Sequence, residues 1–417
     1  MLPLPAGKAR AALFALALGG FGIGTTEFAT MGLLPEIADD LGISIPVAGY
    51  AITAYALGVV VGAPTLAALG ARMDRRRLLI WLMVAFTCAN VLSAFAPSAS
   101  TLVAARFLAG LPHGAFFGVG AVMGTAVVGQ ARRGRAVSSM MAGLTIACAI
   151  GVPLTAIVGH AAGWRWSFVG VGVIGLATLL ALRAWTPPLS PHEGATVRTE
   201  LAALRNRRLW IAFGAGAIGF GGMFAVYSYV KPLLTDAAGV DVAVVPVVLA
   251  LYGLGMTAGT LIGGRLADRS VYRTVIVGMV STIAVLVAIG VVGHQPVAVV
   301  VALVLLGVTS QILGLSLQTR LMDVSPAAPS LGAALCHSAL NLGNATGAFL
   351  GGLVIEAGLG YLAPAWVGAG LTALGLLAML TVGRAGPEPV APAAVPEHVD
   401  DVPDRPGDLT AAGKLGR

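Results

Sequence analysis

Residues 24–32 read GTTEFATMG, inside a run from Ala11 to Leu34 that is otherwise built mainly of Ala, Leu, Gly and Phe. Whether Glu27 is an oddity or a working part depends on the solvent around it, and composition identifies that solvent. Of 417 residues, 57% are hydrophobic and 10% charged, with a mean hydropathy of +0.91. Soluble globular proteins carry roughly 25% charged residues. The shortfall excludes a disordered chain, and it excludes a basic nucleic-acid binder despite a net charge of +7. The solvent is lipid.

A membrane-crossing helix needs about 20 mainly apolar residues. Twelve such segments are predicted, at 11–34, 46–69, 78–97, 101–127, 137–160, 166–184, 209–232, 243–263, 274–292, 297–318, 330–355 and 360–382. A soluble protein would need twelve successive helices with almost no wetted face. The first segment is expected to stay as an anchor: it is long, contains Glu27, lacks a clean cleavage pattern and leads into similar segments. Cys88, Cys148 and Cys336 all fall in predicted spans, match no metal spacing and read as small apolar filler.

The basic residues set orientation. Lys8 and Arg10 precede the first span, Arg72, Arg75, Arg76 and Arg77 follow the second, and Arg132, Arg133 and Arg135 follow the fourth. Arg198, Arg205, Arg207 and Arg208 fall in the middle connection, Arg265, Arg269 and Arg273 follow the eighth span, and Arg320 follows the tenth. The opposite connections offer little beyond Arg165 and Lys231. This bias predicts both termini in the cytoplasm of a multi-pass bacterial cytoplasmic-membrane protein.

Six spans precede the polar stretch 185–208 and six follow it. The expected organisation is an N-terminal six-helix bundle (1–184), a cytoplasmic linker (185–208), a C-terminal six-helix bundle (209–383) and a disordered cytoplasmic tail (384–417) rich in Pro, Ala, Asp and Glu. The halves echo each other. GARMDRR (70–76) follows the second span and GRLADRS (264–270) follows the eighth. The same charged turn at the same ordinal place implies an internal duplication, the architecture of a carrier whose halves rock about a site between them.

Several stretches carry a resemblance to a known family: GTTEFATMGLLPEIADDLGIS (24–44), the turn at 70–77, RFLAGLPHGAFFG (106–118), IGVPLTAIVGHAAGWRWSFV (150–169), YSYVKPLLT (227–235) and LNLGNATGAFLGG (340–352). Over residues 11–383 the chain resembles the major facilitator superfamily. Within it the likeness is to the twelve-span drug:proton antiporter branch with its arabinose-efflux-like and chloramphenicol-resistance permeases. The resemblance implies an all-α membrane fold of two pseudo-symmetric six-helix bundles. It also implies gating by Asp74 with Arg75 and by Asp268 with Arg269, although Arg77 and Leu78, and Val271 and Tyr272, depart from the family pattern. An Asp there can cap a helix and pair with arginines, forming a latch that breaks each cycle.

Glu27 is the acid placed well inside a span, and the resemblance implies that it couples proton flow, with Arg106 and His113 taking part. Arg106, Gly110, His113 and Phe117 share one helical face. Arg106 could instead snorkel to the outer interface, leaving His113 as a packed core residue. Gly151, Pro153 and Gly159 resemble an imperfect antiporter hinge, since Val152 separates a Gly-Pro pair that is usually adjacent. The glycine ridges Gly343, Gly347, Gly351 and Gly255, Gly259, Gly263 read as packing surfaces. Lys231, beside Pro232, is expected at the interface.

Candidate substrate contacts are Thr26, Thr30, Tyr55, Phe117, Phe220, Phe224, Tyr227, Gln311, His337, Asn341 and Asn344. The polar residues near 337–344 fit helix–helix bonding and a wet cavity equally well. Aromatics with a few amides suit a moderately hydrophobic, neutral or weakly charged solute.

A proton-driven exporter of a drug-like solute, by alternating access, accounts for the lone acid, the repeated halves and the two charged turns. Export of a sugar or nucleoside, or import on the same fold, stays open from the residues. An enzyme would call for clustered His and carboxylates at one face, and ATP-driven transport for a Gly-rich phosphate loop, and the sequence has neither. The expected partners are a small-molecule substrate, protons and membrane lipid, with a monomeric protein, no nucleic acid, no metal and no cofactor.

Overall fold

The computed structural model describes residues 4–70, 72–129, 133–190, 207–323 and 329–382, without the side chains at 67, 68, 133–138, 208, 268, 322, 323, 329–334 and 382. The bulk of the expected linker, 191–206, and the expected tail, 384–417, lie outside these residues, as does the carboxylate of Asp268.

No strand occurs among the described residues. Twelve helices among the described residues are long and apolar enough to cross a membrane. They are α1 (Ala6–Gly32), α2 (Ile45–Leu69), α3 (Arg75–Ala94), α4 (Ala99–Val128), α5 (Arg133–Ile146 continued by Val152–Ala162) and α6 (Trp164–Trp185) in the first half. The second half holds α7 (Arg207–Tyr227), α8 (Val245–Arg269), α9 (Val271–Val292), α10 (Pro296–Asp323), α11 (Pro329–Glu356) and α12 (Ala363–Val382). All twelve predicted spans are present.

Three local features go beyond the predicted segments. A short helix, Leu34–Leu41, follows α1 and ends on Gly42 at a φ of 63°, a left-handed position that suits glycine. Within α5 a π turn, Ala147–Gly151, lies just ahead of Pro153. A second π turn, Leu233–Ala237, follows Pro232 beyond α7. Proline lacks the N–H and crowds the preceding turn, so in α5 the wider bonding pattern ahead of Pro153 relieves the conflict.

Helices in lipid gain nothing from excluding water, so close approach of their backbones has to hold them. Here glycine against carbonyl does this, and it does it twice. A Cβ on Gly58 or Gly62 of α2 would fall 2.2 Å or 2.1 Å from the Phe107 and Leu111 carbonyl oxygens of α4. On Gly255 or Gly259 of α8 it would fall 2.5 Å or 2.2 Å from the Val304 and Val308 carbonyl oxygens of α10. One constant offset relates all these residues, and the same offset relates Gly110 (2.0 Å from the Tyr55 oxygen) to Gly307 (2.6 Å from that of Tyr252). Likewise Gly143 of α5 abuts Ala17 of α1 as Gly343 of α11 abuts Ala217 of α7. The duplication suggested by one charged turn thus extends through the packing seams. Between the halves, Gly253 of α8 sits against the Cys148 backbone in the π turn of α5, and α2 runs beside α11.

Two glycines on one helix test this account. Gly110→Val should cost roughly 1–3 kcal/mol through overpacking against the Tyr55 carbonyl, seen as a lower melting temperature in detergent. Gly118→Ala, at a site with no atom within 4 Å of the added Cβ, should be neutral or stabilise by up to about 1 kcal/mol. Equal effects would contradict it.

Candidate functional site

Arg106 enters the first bundle from α4 and is fully buried. A guanidinium cannot shed its charge there, so it needs acceptors. Its Nη1 donates to Thr26 Oγ1 at 2.8 Å and its Nη2 to the Thr26 carbonyl at 2.9 Å. Thr26 Oγ1 in turn donates a hydrogen bond to Asn90 Oδ1, and Asn90 Nδ2 donates to the Phe86 carbonyl at 2.8 Å. The chain of bonds ties α4 to α1 and α1 to α3. The faces of the guanidinium lie over Tyr55, 4.4 Å from the ring centroid, and Phe168, 5.2 Å away. Arg106 does not snorkel; it is spent on the backbone of α1, one residue from Glu27.

Glu27 itself is 6% exposed and forms no ion pair or hydrogen bond among the described residues. Its side chain lines a cavity of about 120 Å³ between the halves. Around it are Phe28, Phe220, Phe224, Met141, Met223 and Met256, with Gln311, Gln318, Thr145, Thr260, His113, His337 and Asn341 as the polar lining. Tyr55 Oη lies 3.0 Å from His113 Nδ1, leaving His113 Nε2 as a buried atom without a partner. The rings of His113 and His337 approach to 5.5 Å across the halves, and Phe117 stacks on His337 at 4.9 Å.

The cavity is closed towards the C-terminal end of α1. Phe28 stacks on Phe224 at 6.1 Å and meets Tyr227 edge-on at 5.8 Å, and Tyr227 stacks on Tyr252 at 4.0 Å. The lining from α5, α10 and α11 (Thr145, Gln318, His337) lies in the parts of those helices nearer the arginine-rich end.

Seven of the residues singled out from sequence line the cavity: Glu27, His113, Phe220, Phe224, Gln311, His337 and Asn341. Tyr55, Phe117 and Thr26 stand directly behind them, holding His113, His337 and Arg106. Tyr227 belongs to the aromatic seal, while Thr30 and Asn344 are buried away from the cavity. The lining from α5 and α8 was not anticipated, because Met141, Leu144 and Met256 look like ordinary core. Asn90 was also missed, although an amide in an apolar span is a readable signal.

Asp74 caps α3, accepting from the Arg77 backbone N–H at 3.0 Å, and its second oxygen accepts from the Leu189 N–H at 2.7 Å. It therefore clasps the chain just beyond α6. Arg75 donates to the Gly70 carbonyl at 3.3 Å, and Arg269 ends α8 exposed. In α5 a Cβ on Gly151 would meet Thr25 Oγ1 at 2.2 Å and one on Gly159 would meet Leu33 at 2.1 Å, so this stretch with Pro153 packs tightly on α1.

Two six-helix bundles flanking a largely apolar cavity with an unpaired acid on its wall have the make-up of a membrane transport protein. The sequence comparisons agree. The family model of the Major Facilitator Superfamily matches residues 16–328 and 215–412, and the chain belongs to that family. It is 40% identical over 378 residues to the inner membrane transport protein YdhP of Escherichia coli (strain K12), covering 91% of this chain and 97% of that one. It is 33% identical over 380 residues to a chloramphenicol resistance protein of Streptomyces lividans, covering 90% and 95%. A crystal structure of a D-xylose-proton symporter shares the fold, with a TM-score of 0.73 at 16% identity over 89% of this chain and 97% of the other. The protein is a multi-pass transporter of the bacterial inner membrane, not an enzyme.

Arg106→Lys keeps the charge but loses the planar pair of donors. It should lower stability by about 1–3 kcal/mol, measured as a drop in melting temperature. A melting temperature equal to the parent's would show that the Thr26 bonds carry no weight.

Proposed function

We propose that the protein is a proton-coupled exporter of a small, moderately hydrophobic solute, with Glu27 as the coupling acid and both termini cytoplasmic. The observation that carries the reading is the placement of Glu27 on the cavity wall, unpaired, while Arg106 is engaged by Thr26. Burial disfavours the charged form of a carboxyl and a nearby cation favours it. Glu27 is thus free to change its proton affinity when solute or helix movement alters its surroundings. Solute arriving from the cytoplasm displaces the proton of Glu27 to that side. The loaded carrier closes at the cytoplasmic end, opens outward, and regains a proton from outside as solute leaves. Asp74, through its hold on the chain beyond α6, and the matching Asp268 act at the cytoplasmic gate, and Gly151, Pro153 and the π turn serve as the bend in α5.

The aromatic and methionine lining favours a drug-like solute, and the chloramphenicol resistance relative supports that class. The amides of Gln311, Gln318 and Asn341 support a second reading, a carrier for a sugar or nucleoside.

Inside-out vesicles with an acidified lumen test the coupling, with chloramphenicol, a pentose and a nucleoside as probes. One probe should accumulate and dissipate the pH gradient, and Glu27→Gln should reduce this proton-driven uptake by about a hundredfold. Undiminished uptake by Glu27→Gln, or accumulation indifferent to the gradient, would sink the proposal.

A further inference from the structure

Lys231 was expected at the membrane interface, and the structure shows its side chain turned into the protein and paired. Its side chain is 6% exposed, and Nζ bonds to Oε1 of Glu36, itself 16% exposed. Glu36 belongs to the short helix Leu34–Leu41 of the first half, and Lys231 to the turn beyond α7 in the second. We propose that this ion pair is the outer gate of the carrier: it holds the two halves together beyond the aromatic seal and breaks each time the cavity opens outward.

Glu36 is fastened within the first half, and the segment carrying Lys231 is tied to α11 of the second, so opening acts on the ion pair and on the ring contact beside it. On the first side, Asp40 of the same short helix pairs with Arg165 and accepts from Trp164 Nε1 at 3.1 Å, both at the start of α6. Arg165 also donates to the Ala96 carbonyl at 3.2 Å, beyond α3. The Arg165 guanidinium holds the Asp40 carboxyl below the usual carboxylate range. The tether therefore contributes stability above that range and loses it only as pH falls below it. On the second side, Tyr229 donates to the Ala348 carbonyl of α11 at 2.8 Å. The Tyr229 ring fills the space over Gly352 of α11 and Gly49 of α2.

A buried ion pair is weak evidence for net stability, because desolvation offsets the attraction. Its use lies in being all-or-none: when the halves part, each charge exchanges its partner for water. Glu36 has a substitute at hand. His160 Nδ1, from α5 of the same half, lies 3.5 Å from the same oxygen, on a side chain 59% exposed. It can retain Glu36 when Lys231 withdraws, which makes the broken state accessible.

The proposal rests on the carrier reading, but its test needs neither solute nor proton gradient. Leu249 of α8 is buried against Gly32 of α1, where the halves meet on the outer side. Cysteine at Leu249, in a chain with Cys88, Cys148 and Cys336 changed to alanine, is exposed to a membrane-impermeant maleimide outside whole cells. Glu36→Gln and Lys231→Met should each raise the labelling rate, Glu36→Gln by about tenfold or more because it leaves Lys231 buried and unpaired, Lys231→Met by less because His160 still faces Glu36. The exchange Glu36→Lys with Lys231→Glu should restore the parent rate. If the exchanged protein does not accumulate, Glu36→Gln combined with Lys231→Met should label no faster than either alone. Parent-like labelling in both single variants, or multiplicative rates in the double variant, would overturn the gate. Shifted labelling in a protein that moves no proton would leave the gate standing and remove the exporter.

Discussion

Hydrocarbon offers no hydrogen-bond partners, so the backbone groups and any buried cation in the spans have to be answered from within the protein. That constraint organises the molecule. It makes the backbone helical, and it allows glycine to bring helices within contact of each other's carbonyls at the α2–α4 and α8–α10 seams. It also assigns the fully buried Arg106 two acceptors on Thr26 and binds Thr26 onward to Asn90. Against this background Glu27 stands out, as the acid whose answer is the cavity and not a neighbour. A group left without a fixed partner in such a place is one whose partner comes and goes.

The packing is duplicated but the chemistry is not. The offset that carries Tyr55 to Tyr252 and Gly110 to Gly307 carries Arg106 to Leu303 and His113 to Ser310. The offset between Ala17 and Ala217 carries Glu27 to Tyr227. The first half therefore holds the ionisable centre, while the second contributes a wall of aromatics and amides from α7, α10 and α11. Such a division suits a carrier in which one bundle binds the proton and both bind the solute. Movement between bundles of equal framework then changes the surroundings of a single acid.

Much of this was legible in the sequence because lipid makes polarity rare. Glu27, Arg106, His113 and the helix 11 amides were conspicuous, and small-residue spacing foretold the ridges Gly255–Gly263 and Gly343–Gly351. What could not be read was pairing across the chain. Lys231 looked interfacial since it stands at the end of a predicted span beside Pro232, and its partner Glu36 sits in what looked like a plain connection. The side on which Arg106 would spend its charge was likewise invisible, because Thr26 and Glu27 are adjacent in sequence but engage different surroundings. The π turns escaped because a wider turn leaves no periodic signature over five residues.

The central claim is that solute and proton compete through Glu27. Purified protein in weakly buffered detergent solution, mixed with the solute it carries and read with a pH-sensitive dye, tests it most directly. The account predicts that solute binding releases a proton from the parent protein, and that Glu27→Gln binds the solute without releasing one. Proton release that persists undiminished in Glu27→Gln, or solute binding to the parent with no release at any pH, would contradict it.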